Sequence, residues 1–199
     1  GHVQWPCATL DSPGTPYLYQ DNRFTTPTGK GQLFAAPWRA PAEVPDADYP
    51  LVLCTVREVG HYSCRSMTGN CSALQTLADE PGFVQINPQD AQALGIRDGQ
   101  LVWVASRRGK VISRANHNER INVGAVYMTY QWWIGACNEL TQENLDPISK
   151  TPETKYCAVK VERIADQSWA ENYARQTYSE MKARLRSAVD DAIPIAVTA

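Results

Sequence analysis

Prolines and glycines cut this chain into runs too short for long helices before residue 165, so most of the fold has to be built from short strands and brief helical turns. Seven of the 13 prolines fall within residues 1–48, from Pro6 to Pro45, and Pro50 lies just beyond. Each fixes φ and removes a backbone donor, which rules out a long helix there. Residues 1–48 are therefore expected to form an extended arm, with Thr28-Gly29-Lys30-Gly31 turning into a short strand that ends at Phe34.

Beyond Pro50 the runs alternate in a strand-like way. Leu51–Val56 and Phe83–Ile86 read as strands, and Ser72–Ala78 offers about two helical turns before Pro81-Gly82 stops them. Asn87-Pro88-Gln89-Asp90 combines a capping asparagine, a proline at the first helical position and an early acid. That pattern predicts a helix to Leu94, ended by Gly95. Leu101–Ser106 and Val111–Ala115 flank Arg107-Arg108-Gly109-Lys110 as a hairpin. Val123–Tyr130 and Tyr156–Glu162 supply two further strands. Ser168-Trp169-Ala170-Glu171 reads as a capping box opening a terminal helix, with Trp169, Tyr173, Met181 and Leu185 on one face. Short strands without βαβ alternation predict a mainly β, α+β chain: a small barrel over 49–164 with helical insertions, then a helix and tail over 165–199.

The formal charge of −2 argues against a nucleic-acid surface, which normally needs a basic excess. No apolar stretch approaches the roughly 20 residues that span a bilayer, so no membrane insertion is expected. The opening Gly1-His2-Val3 has neither an initiator methionine nor a signal-peptide pattern, and suggests a segment of a longer, cytoplasmic polypeptide. Cysteines stand at 7, 54, 64, 71, 137 and 157 with no CxxC pair, so they are read as reduced, mostly buried thiols and not as metal ligands. His2 and His117 have no motif around them and are read as structural.

Chemistry concentrates where two strands end. After Leu51–Val56 come Arg57, Glu58, His61, Tyr62 and Ser63, with Gly60 and Gly69 allowing backbone N–H groups to approach an anion. After Val123–Tyr130 come Gln131, Trp132 and Trp133, an edge reader beside aromatic faces. Together they suit an anionic, polyhydroxylated ligand. Trp132 and Trp133 cannot both face a core from a strand, so one belongs at a surface or interface.

Five segments in order carry a resemblance: Arg57-Glu58-Val59-Gly60-His61-Tyr62-Ser63 with Met67-Thr68-Gly69; Ile86-Asn87-Pro88-Gln89-Asp90-Ala91 with Leu94-Gly95-Ile96-Arg97-Asp98-Gly99; Ser106-Arg107-Arg108-Gly109; Asn138-Glu139-Leu140-Thr141; and Lys155-Tyr156-Cys157-Ala158-Val159. They resemble the C-terminal dinucleotide-binding domain of molybdopterin oxidoreductases, nearest to the formate dehydrogenase H branch. The resemblance implies a double-psi β-barrel that holds molybdopterin guanine dinucleotide, with molybdenum or tungsten, inside a larger formate-oxidising enzyme. The iron–sulfur cluster and the catalytic and metal-ligating residues would lie in other domains, and none has a counterpart here. Partners would be those domains and an electron-transfer subunit, with Trp5 and Trp38 where the domains dock.

Carried onto this sequence, the resemblance implies a cofactor-binding set of Thr55, Arg57, Glu58, Val59, Gly60, His61, Tyr62, Ser63, Tyr130, Gln131, Trp132, Asn138, Lys155 and Tyr156. Arg57 would fork onto phosphate oxygens or a ring edge. Glu58 would accept from ring N–H groups and His61 would donate to phosphate or pterin. Tyr130 and Trp132 would stack, Gln131 would read an edge and Asn138 would add an amide contact. Thr154 stands where a bulkier aromatic is expected, which weakens stacking there. The other reading open to these residues is a stand-alone barrel that binds another nucleotide or a protein partner without catalysis.

Overall fold

The structure, a computed structural model, describes residues 4–78 and 80–192, with side chains through residue 185. The part of the expected tail beyond residue 192 lies outside the described residues. The chain divides into two compact units, 1–40 and 41–199. Residues 41–48, expected in the arm, group with the barrel instead, because Glu43 accepts a hydrogen bond from Ala158 N (2.6 Å) and chelates Arg108.

The first unit is a series of turns. Gly29 N donates to Thr26 O and Phe24 N to Gly29 O, while the Tyr19 and Phe24 rings stack at 4.8 Å. The turn expected at Thr28 is present in this form, but the strand expected through Phe34 is not. A strand needs a neighbour to take its backbone groups, and none pairs with these residues. Leu33 and Phe34 are 97% and 79% exposed.

In the second unit the strands are β1 (Leu51–Val56), β2 (Phe83–Ile86), β3 (Leu101–Ala105), β4 (Lys110–His117), β5 (Ala125–Thr129) and β6 (Cys157–Arg163). The helices are α1 (Ser72–Leu77), α2 (Pro88–Ala93) and α3 (Gln167–Ala192). The strands close into a barrel in the order β1-β5-β2-β4-β3-β6. β1 runs parallel to β5, and β2 parallel to β4. Two interlocked parallel pairs give the double-psi β-barrel that the resemblance implies. Inward positions alternate along the strands: Leu53, Val84, Ile86, Val102, Val104, Val126 and Val159 are fully buried, the apolar burial that chiefly drives folding. Closure leaves no unpaired strand edge.

α2 forms as its capping residues predict. Asn87 Oδ1 accepts from Gln89 N (2.9 Å), Pro88 opens the helix and Gly95 closes it at φ +64°, where a side chain would be strained.

The start of α3 departs from expectation. Asp166 caps it, accepting from Trp169 N at 2.9 Å, and Gln167 is tied through its amide to Leu101 N and O. These bonds start the helix before Ser168, and Glu171 pairs with Arg114 (2.7 Å), so no Ser168–Glu171 capping box forms. The buried face is also shifted: Ala170 and Ala174, with Tyr178 and Met181 beside them, pack on Leu101, Ile112, Ile134 and Ile164. Trp169 and Tyr173 instead stack on each other at 5.1 Å near Trp103, about half-exposed. No helix among the described residues is long and apolar enough to cross a membrane.

All six cysteines are free, but only Cys137 and Cys157 are buried. Burial pushes their thiols up to about 12 and about 11. Cys64 and Cys71 sit in the polar stretch after β1 and are exposed, contrary to the expectation of mostly buried thiols.

Candidate functional site at the ends of two parallel strands

The barrel brings together the two loops singled out in the sequence. β1 and β5 lie side by side and parallel, and Val56 pairs with Thr129 at the end of the register. Both chains therefore leave the sheet at the same end, Arg57 beside Tyr130. The guanidinium of Arg57 sits over the Tyr130 ring, 4.6 Å from its centroid. Glu58 Oε2 accepts from Gln131 Nε2 (2.6 Å), and the Ser63 and Tyr130 hydroxyls are 3.1 Å apart. A third segment joins them: Thr55 Oγ1 donates to Thr154 O (2.9 Å) and Lys155 Nζ donates to Thr55 O. Gln142 Nε2 donates to the carbonyl of Tyr156, a half-buried residue.

Arg57, Val59, Tyr62 and Lys155 are exposed, Glu58, Gly60 and Ser63 are half-buried, and Thr55 and Gln131 are buried. A Cβ at Gly60 would meet that of Ala78 at 3.2 Å, so the chain passes close to its neighbour there. Asn138 is exposed, its Oδ1 facing the Cys137 thiol and its carbonyl accepting from Thr141 Oγ1. Burial raises the Glu58 carboxyl above its ordinary value, opposed by the nearby charges of His61 and Arg65.

Four residues of the expected set are buried, Thr55 and Gln131 within the hydrogen bonds above and His61 and Trp132 turned inward. His61 is 4% exposed; its Nε2 lies 2.7 Å from Ala78 O and its Nδ1 3.0 Å from Thr68 Oγ1. A carbonyl only accepts, so Nε2 carries the proton. Nδ1 shares a hydrogen bond with the Thr68 hydroxyl, whose oxygen takes Tyr62 N (3.1 Å). Both ring nitrogens are satisfied within the loop, which makes His61 a loop anchor and not a free donor. Trp132 is 3% exposed, with Nε1 donating to Thr129 Oγ1 (2.6 Å) and its ring edge-on to His61 at 5.8 Å. It fills space that Gly82 leaves open, where any Cβ would come within 2.2 Å of the indole. Trp132 therefore offers no open stacking face, and Trp133 is the outward member of the pair.

Beneath the loops lies a pair that the sequence reading passed over. Arg65 and Glu80 form an ion pair of 2.5 Å with side chains only 5% and 2% exposed. The Glu80 carboxylate also accepts from Trp133 N and Ile134 N, each at 2.9 Å. Burial raises its pKa although these donors oppose the shift. The one sequence signal was acidic Glu80 directly before the Pro81-Gly82 stop. A cavity of about 630 Å³ opens beside Arg65, Gln75, Trp133, Tyr178 and Lys182, and another of about 410 Å³ beside Glu58, Glu80, Arg114 and Trp132. The Arg57–Tyr130 edge lines neither of these two. No grouping of His, Cys, Asp and Glu that could hold a metal occurs among the described residues.

Residues 51–158 match the family described as the molydopterin dinucleotide binding domain. The chain belongs to that family. This molydopterin dinucleotide binding domain is 61% identical to formate dehydrogenase H of Escherichia coli over 190 residues, covering 94% of this chain and 26% of that protein. It is 43% identical to the alpha subunit of a formate dehydrogenase from Methanococcus maripaludis (81% of this chain, 24% of the relative). It is 37% identical to the assimilatory nitrate reductase catalytic subunit of Bacillus subtilis (81% and 23%). Among solved structures, acetylene hydratase from Pelobacter acetylenicus shares the fold, with a TM-score of 0.57 and 19% identity over 74% of this chain and 25% of that one. The chain spans about a quarter of the length of the curated relatives it matches.

Proposed function

We propose that this domain holds molybdopterin guanine dinucleotide for a molybdenum-dependent formate dehydrogenase, with formate oxidation to CO2 carried out by the whole enzyme. The observation that carries the proposal is the meeting of Arg57 to Ser63 with Tyr130 and Gln131 at one barrel end. The residues fit such a ligand. Arg57 is exposed, with its guanidinium over the Tyr130 ring, a fork suited to phosphate or a heterocycle edge. The half-buried Glu58 carboxylate, oriented by the hydrogen bond it accepts from the buried Gln131 amide, offers acceptors to a base edge. Lys155 adds positive charge beside Thr55.

When bound, the cofactor would supply a molybdenum centre able to accept the two electrons of formate. This chain's part is to bind and orient it. Arg57, Glu58, Ser63, Tyr130 and Lys155 form the contact edge, with Thr55 and Gln131 buried behind it and Val59, Gly60, Tyr62, Asn138 and Tyr156 at its margins. His61 and Trp132 hold the loops from below. The remaining domains of the polypeptide, with their iron–sulfur cluster, and an electron-transfer subunit in the cytoplasm complete the proposal. Such domains would also cover the exposed Trp5 and Trp38, which are 73% and 84% exposed here.

The test is to release the nucleotide from the purified full-length protein with acid and quantify it against molybdenum. Guanine nucleotide in step with molybdenum, lost in Arg57→Ala, is the expected result. A different nucleotide, or no dependence on Arg57, overturns the assignment.

A further inference from the structure

Resting on that reading of the site, we propose that Glu80 and Arg65 are positioning residues that set the Tyr130–Ile134 turn against the Arg57–Ser63 loop, and so fix the gap in which the dinucleotide sits. Glu80 lies in the connection between α1 and β2, outside both loops, yet it grips the Tyr130–Ile134 turn directly and Arg65, two residues beyond the Arg57–Ser63 loop. One carboxylate oxygen takes Arg65 Nη2 at 2.5 Å and Trp133 N at 2.9 Å, while the other takes Ile134 N at 2.9 Å. Two consecutive backbone donors gripped by one carboxylate leave that turn little freedom to rotate.

Arg65 supplies the other half. It adopts φ +63°, two residues after Ser63 at φ +49°. Its guanidinium lies 4.8 Å from the centroid of Trp132 and 6.0 Å from that of Trp133. Trp132 is held in turn by Thr129 and His61. Since Tyr130 and Gln131 directly precede Trp132, the position at which they meet Arg57 and Glu58 follows from this lock.

Stability alone does not account for the arrangement. A buried ion pair returns little of its desolvation cost, and Arg65 Nε and Nη1 are buried with no hydrogen-bond partner. The same space filled with apolar side chains would leave two consecutive N–H groups without an acceptor. The pair supplies a fixed geometry.

The experiment compares Glu80→Gln and the milder Arg65→Lys with Val104→Ala, a core variant in β3, in the full-length protein. Amide exchange at Trp133 and Ile134 and guanine nucleotide per polypeptide are measured below each variant's melting transition. Glu80→Gln should speed those amides and lower nucleotide content about tenfold, the scale of one charge-assisted hydrogen bond. Arg65→Lys should do the same to a smaller degree. Val104→Ala should keep its nucleotide even where its melting temperature falls as far. Equal nucleotide loss at matched melting temperature, or unchanged amides in Glu80→Gln, overturns the positioning role. If wild type carries no guanine nucleotide, the functional reading falls, and the amide arm alone decides whether Glu80 locks the turn.

Discussion

Two of the domain's arginine–glutamate clamps behave oppositely. At the hairpin turn, Arg108 meets Glu43 through both guanidinium Nη atoms (2.7 and 3.0 Å) and also donates to Leu140 O, while Glu43 takes Ala158 N. Its side chains keep 20% and 14% exposure. The Arg108 hydrogen bond holds the Glu43 carboxyl below its ordinary value. At the loop end, Arg65 and Glu80 are almost completely buried, and burial outweighs their attraction and raises Glu80. The same two residue types therefore either favour the charged carboxylate or penalise it, depending on how much water each gives up and how many donors replace it.

The largest expected effect comes from removing one partner of the drier clamp. Arg65→Met should destabilise the domain by about 3–5 kcal/mol at neutral pH in urea unfolding, because it strands a buried charge. The loss should shrink in acid. Glu80's folded pKa lies above its unfolded value, so its ionised form opposes folding above that pKa, and protonation relieves the cost. A loss that grew with acidity would contradict this account.

Glu43→Gln should cost about 2 kcal/mol, the range of hydrogen bonds to charged groups. Its pH dependence has the reverse sign. A lowered folded pKa contributes stability above the ordinary value of 4.5, lost as the pH falls through the lower folded pKa. Wild type and Glu43→Gln should therefore converge in acid, as followed by thermal unfolding from neutral pH downward. Tyr130→Phe removes the Ser63 hydroxyl partner but keeps the ring under Arg57, and should cost about 1 kcal/mol by the same assay. Glu162→Gln, on the exposed pair with Lys110 (46% and 38% exposed), should change stability by less than about 0.5 kcal/mol after solvent screening.

What could be read along the chain was whatever its near neighbours decide. The α2 helix was legible because Asn87, Pro88 and Gly95 carry its start and stop within a few residues. The β3–β4 hairpin was legible because Arg107-Arg108-Gly109-Lys110 separates two alternating runs. The two loops stood out by residue type and by the resemblance, although their meeting spans 73 positions from Glu58 to Gln131.

Tertiary structure alone decided which way those side chains face and what holds them. His61 looked like a donor to ligand, but Ala78 O and Thr68 Oγ1 wait on the inside, and Trp132 turned inward because Gly82, about fifty residues earlier, leaves room. α3 begins before its apparent capping box because Gln167 binds the backbone of Leu101, 66 positions away. The strand expected before Phe34 failed for lack of a partner, since an extended run becomes a strand only beside another. Glu80 carried no periodic signal, and its role arises only when barrel closure sets one carboxylate before Arg65 and two consecutive amides. Short-range chemistry thus determined the elements and the residue types at the loops, while the closing of parallel strands far apart in sequence determined the site.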